Sequence, residues 1–276
     1  AGSNREFARS PGVDVVVAGG LWNCQSAVRK ADFISAQASL LSLQFLALTE
    51  TWITPQNTAT PAALSAAYTI SHTPRPSGRG GGTGILISPL WRFGIVPLPH
   101  FSPSSFEFHA VTVTVPCKLH IIVLYRPPGP LGSFLDEMDA LLSAFPEDGT
   151  PVLLLGDFNL PLETSQASAF LPLLQSFNFT LAESPSTHKA GNQLDLIFTR
   201  NCALPNITND LLDPNQAGFR AGRSTETALL AVTEALHGAN PLALPSSSST
   251  CRWHSTPWTT GSCSHLSSRW ESLDLR

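Results

Sequence analysis

Short apolar runs that stop abruptly at polar or acidic residues constrain this chain more than any other feature. VDVVVA (13–18), FLALT (45–49), TGILIS (83–88), KLHIIVLY (118–125), PVLLLGDFN (151–159) and LDLIFT (194–199) are rich in Val, Ile and Leu and are bounded by turn formers. Runs of this length and composition read as buried β-strands. Helical spacing intervenes. Between Ala27 and Leu43 the apolar positions Val28, Ala31, Ile34, Ala38 and Leu41 recur every three to four residues, and Phe134, Leu135, Met138, Leu141 and Leu142 do so within Ser133–Phe145. Strands alternating with helices predict an α/β fold. The strand-rich middle, including FEFHAVTVTV (106–115), asks for more than one parallel sheet. Two mixed sheets packed face to face, with helices outside, accommodate it.

The 276 residues suffice to bury a large core. Apolar residues make up 42% of the chain and charged residues 13%, and the net charge is −4. That balance excludes a broad basic surface gripping nucleic acid by itself. It does not exclude a nuclease, because a divalent cation brings positive charge to an acidic site. Cys24, Cys117, Cys202, Cys251 and Cys263 form no CxxC pair, and their odd number and wide spacing argue against a disulfide framework. They read as reduced thiols, which implies an intracellular chain, nuclear if it acts on chromosomal DNA. No apolar run reaches the roughly 18 residues of a membrane span. The opening AGSNREFARSPG has no signal-peptide pattern and reads as an excised start.

Candidate chemistry collects where the strand runs end. Asp157 and Asn159 follow VLLL, and Glu50 follows FLALT. Acids at strand ends are a common way to present hard oxygen ligands to Mg²⁺. Asn23 follows the first run, and Asp195 sits within QLDLIF, where a carboxylate is costly to bury without a partner. An Asp-Asn turn is the structural alternative for GDFN. GRGGGTG (78–84) lacks the Lys-Ser/Thr ending of a nucleotide-binding loop and reads as a flexible turn. Arg75, Arg79, Arg126, Lys189 and Arg200 are available to DNA backbone, with solvated surface charge as the default reading.

LWNCQS, LTETW, LYRPPG, GDFN and STHKAGNQLDLIFTR stand in the order seen in the exonuclease-endonuclease-phosphatase superfamily. Over roughly residues 13–202 they resemble the apurinic-type endonuclease domain of a vertebrate non-LTR retrotransposon of the CR1/L2/Rex kind. The resemblance implies a four-layered α/β sandwich that nicks DNA with Mg²⁺ (or Mn²⁺) and contacts the phosphate backbone. It implies Glu50 as the principal metal ligand, with Asn23 near the metal. Tyr125 would lie by the phosphate, Asp157 would orient or deprotonate the attacking water, and Asn159 would hold the phosphate. Thr187 matches a polar residue beside the DNA, and Asp195 an aspartate that orients a catalytic histidine. His188 is not the essential histidine of the pattern.

The pattern breaks near its end. Such domains close on an apolar strand and a Ser-Asp-His triplet, and no such triplet occurs here; TND at 208–210 has no histidine. His237, His254 and His265 lack the expected strand context. QAGFRAGRSTETALLAVTEAL instead resembles a piece of a reverse transcriptase fingers region, with a helix expected over Thr225–Leu236 capped by Ser224. No YxDD-type motif follows, so polymerase activity is excluded. The expected organisation is an endonuclease-like domain over 11–205 lacking its last strand, a polymerase fragment over 211–240 and a low-complexity tail over 241–276. Impaired DNA nicking is the leading reading. A phosphatase of the same superfamily and a non-catalytic remnant that binds DNA or metal weakly are the alternatives.

Overall fold

A computed structural model of the chain describes residues 15–75, 80–164, 167–182, 194–211 and 228–236. The chain divides into Ala1–Leu242 and Ala243–Arg276, and the latter lies outside the described residues. In chain order the elements are β1 (Val15–Asn23), α1 (Ala31–Leu40), β2 (Phe45–Thr49), α2 (Ala59–Leu64), β3 (Thr69–Thr73), β4 (Thr83–Ile87), β5 (Arg92–Ile95), β6 (Glu107–Val115), β7 (Leu119–Tyr125), α3 (Phe134–Ser143), β8 (Val152–Asp157), α4 (Ala167–Ser176), β9 (Thr180–Leu181), β10 (Asp195–Arg200), β11 (Ala203–Leu211) and β12 (Ala228–Leu236).

The strands form two mixed sheets, ordered β11-β12-β1-β2-β4-β3 and β5-β6-β7-β8-β10-β9. Each sheet contains one parallel pair, β1 with β2 and β7 with β8, joined through α1 and α3 respectively. A parallel pair needs such a crossover, and the continuous apolar sequence of β2, β7 and β8 suits strands covered on both faces. The inter-sheet core contains Val17, Leu21, Phe45, Ile85, Val111, Ile121, Val123, Leu155 and Ile197. On the outer face of the first sheet, Ile34, Ala38 and Leu64 of α1 and α2 pack with Trp22, Leu46, Leu48 and Leu86. On the outer face of the second, Phe134, Met138, Phe170 and Leu174 of α3 and α4 pack with Ile122, Leu154 and Phe198. The order helix, sheet, sheet, helix is the expected four-layered sandwich.

Two expectations change, and one helix is added. α1 begins at Ala31, not near Ala27, because Ser26 and Ala27 donate their N–H groups to the carbonyls of Glu50 and Thr51. Residues 26 and 27 thereby tie β1 to the corner after β2, and Val28 is left exposed. α4 escaped the sequence reading because Pro172 interrupts its interior pattern. The largest correction concerns Thr225–Leu236, expected to be helical. Its described part, Ala228–Leu236, is β12, paired antiparallel with β1 from Val15↔Leu236 to Trp22↔Leu229 and with β11 on its other side. The edge of β1 is therefore occupied. Saturating the backbone groups along β1 outweighs the modest helix preference of Ala, Leu and Glu.

Candidate active site

The two parallel pairs place their carboxyl ends together, and the expected site residues stand there. Asn23 closes β1 and Glu50 follows β2, while Tyr125 closes β7 and Asp157 closes β8. Asp195, the first residue of β10, is in register with Asp157, which is also in register with Tyr125. Residues paired in register share a sheet face. Tyr125, Asp157 and Asp195 thus form a row across the second sheet.

Asn23 joins the two sheets. Its Nδ2 donates to Oε1 of Glu50 at 3.0 Å and to Oδ2 of Asp157 at 2.7 Å. Its Oδ1 accepts the N–H of Gln25 at 3.3 Å, which orients the carboxamide. The other oxygen of Glu50, Oε2, accepts the indole N–H of Trp52 at 3.3 Å. Glu50 and Trp52 both adopt left-handed backbone conformations, with φ of 52° and 55°. Such conformations are unfavourable for residues carrying a Cβ and persist where the surroundings over-determine them.

Asp157 is buried beneath this bridge. Burial, followed by the nearby Asp195 and Glu50 carboxylates, pushes its carboxyl well above the usual carboxylate range, against the hydrogen bonds from Asn159 and Asn23. The carboxyl therefore has a raised proton affinity, as a group that accepts a proton from water requires. Burial, then Glu50 and Asp157, also raises Tyr125 above its ordinary value and keeps it a phenol at neutral pH.

Asn159 lies just beyond β8 with φ of 45°. Its backbone N–H donates to Oδ1 of Asp157 at 3.1 Å, and its Nδ2 donates to the carbonyl of Arg126 at 2.8 Å. The Asp-Asn turn is therefore present, in the same corner as the other expected site residues. Thr187 lies outside the described residues, as do His188, Lys189, Arg79, His237, His254 and His265.

The arginines require correction. Arg126 is almost completely buried and donates to the carbonyls of Phe158, Asn159, Gly129 and Pro130. It fastens the loop after β7 to the loop after β8. Arg200 is equally buried and donates to the carbonyls of Phe145 and Pro146. Neither is a solvated DNA contact. Arg75 pairs with Glu107 beside the site. The sequence reading passed over Glu107; its place at the start of β6, in register with Tyr125, adds it to the row. The turn at Gly80–Gly82, expected to be flexible, is tied to the corner after β2, since the carbonyls of Gly81 and Gly82 accept the N–H groups of Trp52 and Thr51.

This is a layered α/β sandwich with a carboxylate and carboxamide cluster at the carboxyl ends of its parallel strands. The sequence profile of the endonuclease/exonuclease/phosphatase family matches residues 20–218, and the chain belongs to that family. A comparison with curated proteins found no match. Among solved structures, a family protein from Bacteroides thetaiotaomicron superposes with a TM-score of 0.59 at 12% identity, covering 82% of this chain and 96% of its own. The endonuclease domain of TRAS1, a telomere-specific non-LTR retrotransposon, gives 0.58 at 9% identity, covering 79% and 98%. The 3′ phosphatase NExo from Neisseria, bound to a product DNA hairpin, gives 0.59 at 16% identity, covering 78% and 98%. At these identities the likeness concerns the fold. Among the described residues no helix is long and apolar enough to cross a membrane.

Proposed function

We propose that the chain is a DNA-nicking phosphodiesterase of non-LTR retrotransposon descent, of the vertebrate CR1/L2/Rex kind, that acts in the nucleus with Mg²⁺ or Mn²⁺ at a reduced rate. The observation that carries this reading is the Asn23 carboxamide bridging Glu50 of one sheet to Asp157 of the other. The order of LWNCQS, LTETW, LYRPPG, GDFN and STHKAGNQLDLIFTR supports the choice among family activities.

A divalent cation fits the donor set. Asp157 carries the cost of burial and also feels the Asp195 and Glu50 carboxylates. Positive charge placed among them relieves that repulsion. Among the described residues no group of three His, Cys, Asp or Glu stands ready to enclose a metal. Mg²⁺ does not need one, because it is commonly held by one or two carboxylates and keeps several waters. Glu50 would hold it through a carboxylate oxygen, with the Asn23 carbonyl oxygen nearby. When bound, the cation stabilises negative charge developing on the phosphoryl and leaving oxygens.

The remaining work falls to the chain. Asp157, with its raised proton affinity, orients a water and accepts its proton. Asn23 keeps the Asp157 and Glu50 carboxylates at a fixed separation, so attack and charge stabilisation act on the same phosphate. The Tyr125 phenol donates toward a phosphoryl oxygen. Asn159 holds the loop through Arg126 and flanks the phosphate, Asp195 sets the electrostatics behind Asp157, and Thr187 contributes beside the DNA. With a net charge of −4, backbone contact depends on the cation as well as on side chains.

Nicking of supercoiled plasmid by the full chain, with Mg²⁺ or EDTA and beside an Asp157→Ala control, tests the reading. The expected result is metal-dependent nicking lost in the control. Its rate should fall about 10²–10⁴-fold below that of a related domain carrying the terminal Ser-Asp-His, the usual loss for one positioned acid or base. The absence of that triplet favours the second reading, a non-catalytic remnant. DNA binding by well-folded protein with no nicking would establish it.

A further inference from the structure

Glu50 stands on a corner that its own sequence disfavours, with two left-handed residues separated only by Thr51. What holds that corner is the turn leading into β4 of the same sheet, anchored in its turn by Glu107 of the other sheet. Gly80, Gly81 and Gly82 form a turn with φ of 85°, 67° and 85°. The Trp52 N–H donates to the carbonyl of Gly81 at 2.8 Å, and the Thr51 N–H to that of Gly82 at 3.1 Å. The N–H of Gly82 in turn donates to Oε2 of Glu107, whose Oε1 accepts the Arg75 guanidinium. The chain of contacts runs from the start of β6, through the glycine turn, to the corner carrying Glu50.

Packing makes this turn intolerant of side chains. A Cβ on Gly81 would fall 2.4 Å from Nε of Arg75 and 2.6 Å from Oε1 of Glu107, and one on Gly82 would fall 2.5 Å from Oγ1 of Thr51. Glycine suits the left-handed backbone, and at Gly81 it leaves room for the ion pair. A half-exposed Arg–Glu pair in isolation contributes little to stability. This one also accepts a backbone N–H, and its carboxylate is in register with Tyr125 and, through it, with Asp157.

We propose that Glu107, held by Arg75, is a positioning residue: through the Gly80–Gly82 turn it fixes the 50–52 corner and so the place where Glu50 presents its carboxylate to a divalent cation. This rests on the metal-dependent reading of the site. The Trp52 indole, bonded to Glu50, reports on both.

The test uses the full chain as wild type, Glu107→Gln, Arg75→Gln and Arg75→Lys. In EDTA, the Trp52 indole resonance and the hydrogen exchange of the Thr51 and Trp52 amides are followed by NMR. Terbium, a hard-cation probe excited through tryptophan, is then titrated. Glu107→Gln and Arg75→Gln should shift the indole resonance, speed exchange of both amides and weaken terbium binding about 10–100-fold, as loss of a residue supporting a metal ligand does. Arg75→Lys, which keeps the charge, should recover part of each. An unchanged indole resonance and unchanged exchange in Glu107→Gln would overturn the clamp. If that variant does not fold, Arg75→Gln is judged by the same outcome, and wild-type amides exchanging at the rate of free peptide overturn it too. Absence of terbium binding by wild-type protein would overturn the metal reading of the site instead.

Discussion

Asn23 donates to Asp157 over 2.7 Å although the two residues are 134 positions apart and belong to different sheets. The same amide nitrogen reaches Glu50 at 3.0 Å, so one side chain sets the distance between two acids. Repulsion between those acids is a liability for the fold, and the proposed cation would relieve it.

Asn23→Ala should therefore separate stability from function. It removes the bridge without creating an apolar cavity, and thermal unfolding in EDTA should move little. Magnesium affinity should fall about 10–100-fold, in line with other losses of groups that orient metal ligands. Calorimetric titration alongside plasmid nicking checks both, and full magnesium affinity in the variant would contradict the role assigned to Asn23.

Asp157→Asn keeps the shape of the side chain and removes its charge. Nicking should drop about 10²–10⁴-fold. At neutral pH in EDTA, the melting temperature should rise or hold, because burial and Asp195 disfavour the ionised carboxylate being replaced. The raised pKa means that the folded state gains most from Asp157 below the unfolded carboxylate pKa, and that this gain is lost as pH rises through the folded value. A marked fall in melting temperature at neutral pH would show that the charge is welcome there.

His109 offers a second pH dependence, away from the candidate site. Its ring bonds Ser71 at 2.7 Å and Thr73 at 2.8 Å, linking β6 to β3 across the inter-sheet space. Burial, and then His72, lowers its pKa from 6.5 to about 4. A depressed pKa contributes stability that is present above the unfolded value and lost as pH falls toward the folded one. Between pH 7 and 5 the loss should be about 2 kcal/mol. Denaturant unfolding of His109→Gln should show a flatter pH dependence over this window, and an equally steep one would assign the effect elsewhere.

Glu137 fastens the loop before β6 to α3. Its carboxylate accepts the N–H and hydroxyl groups of Ser104 and Ser105 and the Ser133 hydroxyl. Burial pushes its pKa up, but these hydrogen bonds outweigh it and hold the group at about 2. Glu137→Ala should lower stability by about 1.5–3 kcal/mol, the range for hydrogen bonds to a charged group, while nicking is retained. Chemical denaturation measures the loss.

Ending the chain at residue 211 should reopen the β1 edge that β12 covers. An unpaired edge templates association with other chains. Light scattering should show concentration-dependent oligomers absent from the full chain, with a lower melting temperature. A monomeric truncated protein with unchanged melting would mean that β12 adds little to the sheet.

Local sequence determined the strands that carry the site. Phe45–Thr49 matches its expected bounds, and apolar runs ending at Tyr125 and Asp157 became strands closing on those residues, because continuous Val, Ile and Leu suit a doubly covered strand. Acids and amides at the ends of such strands were visible in one dimension because apolar character stops there. Tertiary structure alone decided what those ends meet. Asn23 reaches Asp157 only because two sheets stack with their parallel pairs aligned, and no spacing within the chain encodes a contact across 134 residues. The same holds for Arg126 and Arg200, whose charge suggested solvent until packing surrounded them with carbonyls. It holds most plainly for Ala228–Leu236. Its composition favours a helix, yet the unpaired backbone of β1 offers a hydrogen-bonding partner that an isolated segment cannot have, and the segment becomes a strand.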